Sequence, residues 1–121
     1  MSEIAIQTVN ITTTGDAGSA IGSGTTIPIQ GFLLDVFLNY HASAPATTDV
    51  TISEEVFGNI VVKSNNATDI WLAPRKDTVD AAAAATGVYD LVPIKGPLTI
   101  AVAGADALTD CLVATIRWIT P

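Results

Sequence analysis

The sequence predicts an all-β domain, an antiparallel β-sandwich of jelly-roll or related Greek-key topology with about eight short strands. Apolar residues alternate with polar ones over short runs, and clusters of Gly, Pro, Asn and Ser separate those runs. No segment sustains a helical period over the length of an ordinary helix. At 121 residues the chain suits a single sandwich domain, 1–121, with one core and no need of staples.

Taken in order, Glu3 to Thr13 reads as a strand in which the apolar parity changes between Ile6 and Val9, which predicts a bulge or two short pieces. Gly15 to Thr26 is Gly, Ser, Thr and Ala with Ile21 as its single anchor, and reads as a loop. Residues 1–30 thus form an N-terminal segment that is in part extended. Gly22-Ser23-Gly24 has no lysine after it and opens no helix, so it reads as a turn and not as a phosphate loop.

Phe32 to Tyr40 is the strongest strand, with Phe32, Leu34, Val36, Leu38 and Tyr40 on the face expected to be core. His41 to Thr48 is a loop; Val50 and Ile52 open a strand that turns near Gly58 and returns through Ile60 and Val62. Ser64 to Asp69 is a turn, and Ile70-Trp71-Leu72 is a strand stopped by Pro74, after which Arg75 is expected to leave the sheet. Lys76 to Gly87, rich in Asp and Ala, reads as a long connection with at most one helical turn capped by Asp80. Tyr89 to Ile94, Leu98 to Ala103 and Asp110 to Ile119 supply the remaining strands.

Composition narrows the function. The net charge is −7 with five Lys and Arg in all, and the pI is near 4.2, which leaves no basic stripe for nucleic acid or an anionic membrane. Charged residues are 14%, against about 25% in an ordinary soluble domain, while 49% are hydrophobic and the mean hydropathy is +0.47. No apolar run reaches the roughly 18 residues a spanning helix needs. Surface buried in a permanent assembly is the better explanation. Several strands carry apolar residues on both faces, Val113 and Ile119 or Leu33 and Phe37, and a two-layer sandwich buries only one face of each sheet. The start Met1-Ser2-Glu3-Ile4 has no basic region followed by an apolar core, so synthesis is expected in the cytoplasm.

The chemistry-bearing residues are sparse. A nucleophile–histidine arrangement would have to pass through His41, which stands at a strand end and reads as a polar terminus. Cys111 is alone, Asp77 and Asp80 lack the density of a calcium loop, and Glu54 and Glu55 point apart if extended. No catalytic residue, metal site or cofactor is expected, and the chain is read as a non-enzyme. The candidate partner-binding residues are Trp71, Pro74, Arg75, Lys76 and Arg117. Each arginine lies in a tryptophan region and suits either a bidentate carboxylate pair or a cation laid over an aromatic ring. Either tryptophan suits a core, and an exposed one would be an anchor.

Val50-Thr51-Ile52, the run Asn66 to Arg75 ending in Pro74-Arg75, the Asp/Ala-rich connection, Val92-Pro93-Ile94-Lys95-Gly96-Pro97 running on to Gly104, and the closing Val113 to Trp118 together form a layout. From about Phe32 to the end it resembles the small all-β proteins encoded in the head modules of tailed bacteriophages. The resemblance implies a capsid decoration or cement protein on the virion surface. Its partners would be the major capsid protein and further copies of itself, as a dimer or trimer at a symmetry axis, with no nucleic acid or membrane involved. The alternative is another virion component: a head fibre base, or a tail or receptor-binding module.

Overall fold

The computed structural model describes residues 3–121; Met1 and Ser2, the first two residues of the segment 1–30, lie outside the described residues. Among the described residues, ten strands form two packed antiparallel sheets: β1 (Glu3–Ile11), β2 (Ala20–Thr25), β3 (Ile29–Tyr40), β4 (Asp49–Glu54), β5 (Gly58–Lys63), β6 (Ile70–Leu72), β7 (Arg75–Val79), β8 (Ala85–Gly96), β9 (Leu98–Ala105) and β10 (Leu112–Thr120). The large sheet runs β1-β10-β3-β8-β7 with β6 also on β3, and the small sheet runs β2-β9-β4-β5. With β6 and β7 set aside, the first strand pairs with the last, β2 with β9, β3 with β8, and β4 with β5. That is one long antiparallel ribbon rolled into two four-stranded sheets, the jelly roll.

The core is a single cluster drawn from both inner faces, with Leu33, Val36, Leu38, Leu112 and Ile116 of the large sheet against Val50, Ile52, Leu98 and Ile100 of the small one. Two of the buried polar side chains close turns and strand ends around it. Thr26 Oγ1 accepts the Leu98 N–H at 2.9 Å, and the Glu54 carboxylate accepts the N–H groups of Val56 and Phe57, closing the β4–β5 turn.

Several strands differ from the sequence reading, each for a physical reason. β1 has neither bulge nor break and pairs with β10 in continuous register from Glu3↔Thr120 to Ile11↔Leu112. The parity change is a change of face: Val9 and Ile11 point into the core, whereas Ile4 and Ile6 point outward. Gly15 to Thr26 is not all loop, because β2 lies within it and buries Ala20. Its glycines are there for proximity, since a Cβ at Gly22 would stand 2.5 Å from the Thr12 carbonyl oxygen. Together with the Thr14↔Ile21 bridge, this contact draws β2 against β1 and shuts one side of the sandwich.

β3 does not alternate evenly. Arg117 pairs with Asp35 and Trp118 with Leu33, so Leu34 is bulged out of the ladder. Leu33, not Phe32 or Leu34, therefore joins Val36, Leu38 and Tyr40 in the core. Arg75 does not leave the sheet either: after Pro74 ends β6, it begins β7, and Lys76 to Gly87 belongs to a β7–β8 hairpin, with no helical turn. Asp80 does act as a cap, but of the hairpin turn: its Oδ1 accepts the N–H groups of Ala82 and Ala84, with Ala83 at φ 63°.

Candidate assembly surface

The outer face of the large sheet carries the features that point to function, and the pairing registers place them in rows. Ile4, Ile119, Phe32 and Pro93 lie across β1, β10, β3 and β8; Ile6, Arg117 and Asp35 form the next row. Thr8, Thr115, Phe37 and Trp71 follow, with Trp71 supplied by β6, and then Asn10, Val113 and Asn39. Ile4 and Ile6 are each 63% exposed, Trp71 59% and Phe32 46%, while Phe37, Val113 and Ile119 are half-buried. A sheet face of this kind in a solitary domain would carry polar residues at most of these positions.

At its centre the Arg117 guanidinium grips Asp35 with two nitrogens, Nε to Oδ1 at 2.8 Å and Nη2 to Oδ2. Asp35 is only 4% exposed although it points to the outer face, and the Arg117 side chain remains 44% exposed. The Arg117 hydrogen bond holds the Asp35 carboxyl below the usual carboxylate range against the opposing effect of burial, helped by the Trp71 N–H and the charges of Arg117 and Arg75. Asp35 in turn raises the Arg117 pKa. Arg75 reaches over the sheet so that its Nη1 donates to the Leu34 carbonyl at 2.9 Å and to that of Pro74 at 2.8 Å. It thereby satisfies an oxygen that the bulge has put out of register.

Trp71, Arg75 and Arg117 of the candidate set thus converge around Asp35. Pro74 does not join them; with Leu72 and Ala73 it faces Ile60 to Lys63 of β5 across an open apolar groove of about 240 Å³. Lys76 lies on the hairpin opposite Asp90. Of the two tryptophans, Trp118 is core and Trp71 is the exposed one. The expectation that Leu33 would share the second apolar face with Phe37 fails, since the bulge turns Leu33 inward.

Sequence reasoning missed Asp35 as the organising carboxylate, and Ile4, Ile6 and Phe32 as members of the surface. The signal for Asp35 was present: one charge inside the most apolar strand must find a cation when it is buried.

Elsewhere, His41 Nδ1 accepts the Ser43 N–H at 2.9 Å and its backbone N–H donates to the Cys111 carbonyl, which makes it a turn residue at the end of β3. Cys111 is buried, and no group of three or more His, Cys, Asp or Glu is gathered for a metal among the described residues. No helix among the described residues is long and apolar enough to cross a membrane. In comparisons with known proteins, the chain matches no family model and no curated protein.

Proposed function

We propose that the chain is a structural virion protein of a tailed phage, a decoration protein that binds the outside of the assembled head and bridges neighbouring major capsid protein subunits. The observation that carries this reading is the outer face of the large sheet, with Ile4, Ile6, Phe32 and Trp71 exposed around the Asp35–Arg117 pair. An aromatic anchor beside a partly exposed arginine, ringed by aliphatic side chains, is the make-up of a protein-docking surface. The resemblance of layout supplies the class of partner, and the acidic net charge argues against the enclosed DNA as the ligand. Each contact can be modest, since one bound protein that touches two shell subunits gains from the effective concentration of the second. No catalytic role is assigned.

The test is co-sedimentation of the purified protein with mature heads that lack it. Saturation at a fixed ratio to the major capsid protein, weakened on the order of tenfold or more by Trp71→Lys, is the expected result. A wild-type protein that ignores heads and instead binds tails or fibres would transfer the same surface to the alternative virion role.

A further inference from the structure

The jelly roll is shut on one side and open on the other. At the β1–β2 side the two sheets are drawn together by the Thr14↔Ile21 bridge and the approach of Gly22 to the Thr12 carbonyl. At the opposite side, β5 ends the small sheet, and no strand lies beyond it among the described residues. The gap between β5 and the Leu72–Pro74 segment is the apolar groove, walled by Ile60 to Lys63. Val62 on this edge is exposed, and Lys63 is the one charge along it. An edge of six residues beside an apolar floor is a template for an added strand.

The same molecule carries an unsupported strand pair. β7 packs on β8 and on no other strand to any extent, and β8 pairs with β3 only from Val92 onward. Apart from the reach of Arg75 to the Leu34 carbonyl at its base, the hairpin is thus a ribbon that packs on no other strand to any extent, with Val79, Val88 and Tyr89 all more than half exposed. A lone two-stranded ribbon is marginal in water, and apolar residues on both of its faces need cover. β7, at five residues, matches the six of β5, and its outer edge is unpaired. The hairpin carries Asp77, Asp80 and Asp90 against Arg75 and Lys76, a net negative charge that suits the lysine at the groove.

We infer that the β7–β8 hairpin of one copy lies in the β5–β6 groove of a second copy, adding a strand to the β5 edge and covering the groove floor. The hairpin springs from Arg75, directly after the Pro74 wall of its own groove. Two copies that meet there bring each hairpin beside the other's groove. This contact uses a different surface from the outer face of the large sheet and stands whether or not a phage head is the partner.

The experiment is analytical ultracentrifugation of the full chain without heads. The variants Val62→Asp at the groove and Val88→Asp on the hairpin are compared with wild type, and circular dichroism checks that both remain folded. Wild type is expected to sediment as an oligomer, and each variant to lose affinity on the order of tenfold or more. Mixing the two variants should restore part of the association, because one of the two contacts in a mixed pair joins an intact hairpin to an intact groove while the other carries both substitutions. A wild type that stays monomeric up to its solubility limit would overturn the inference. So would an oligomer indifferent to both variants, or variants that fail to complement one another.

Discussion

Asp35 is the residue on which the outer face turns, and its chemistry makes a test at the scale of one side chain. Its carboxyl titrates below the ordinary range because the Arg117 hydrogen bond outweighs the cost of burial. A carboxyl with a depressed folded pKa contributes stability that is present above its unfolded pKa and is lost as pH falls through the folded one. Asp35→Asn should therefore cost about 1 kcal/mol at neutral pH, the partly exposed Arg117 being screened by water. The difference from wild type should shrink below about pH 4. Urea unfolding at pH 7 and at pH 3 reads both; an equal cost at the two pH values would show that the charge of Asp35 is irrelevant. At this scale the sequence was partly legible. Arginine's fitness for a bidentate carboxylate pair pointed to what Arg117 does, but its mate was concealed by a run of apolar neighbours and by a bulge that no propensity announces. Arg75, read as serving either in such a pair or as a cation over an aromatic ring, donates to backbone carbonyls instead.

Among the elements, those that follow alternation were legible and those set by proximity were not. Strands β4, β9 and β10 lie where period-two patterning and turn residues put them, because each buries one face on the core; β5 lies where its turn residues put it but turns Val61 inward, leaving Val62 of the expected Ile60 and Val62 pair exposed. β2 was hidden because its glycines, poor strand formers by propensity, are selected by the closeness of β1. The hairpin was hidden because its alanines suggest a weak helix, whereas pairing to β8 decides the outcome. Gly31 tests how tightly β3 is held beside its bulge. It sits at φ 151°, and a Cβ there would collide with the Ile119 carbonyl. Gly31→Ala should destabilise by at least about 2 kcal/mol, read as a lower urea midpoint with unchanged slope. A change within about 0.5 kcal/mol would mean that the β3–β10 register relaxes easily.

On the scale of the whole molecule, a rolled ribbon of eight strands has one core and therefore two outer faces and two side seams. The outer face of the small sheet presents Ser23, Thr51, Ala101 and Ala103, small side chains with Ile21 and Val62 as exposed apolar residues toward its two borders. That of the large sheet presents the aromatic and aliphatic side chains around Asp35 and Arg117. Under the proposed function, this contrast within one chain favours the large sheet as the docking side. Composition had already indicated surplus apolar surface; which face bears it depended on the β3 bulge and on the outward turn of Ile4 and Ile6, neither visible without the registers. The most direct measurement is hydroxyl-radical footprinting of the protein free and bound to heads, read by mass spectrometry. Docking through the large sheet predicts that Trp71 and Phe32 become protected on binding while Val56, 89% exposed in the β4–β5 turn, is oxidised as before. Protection at Ile21, with Trp71 and Phe32 as reactive as in the free protein, would place the partner on the opposite face and contradict the assignment.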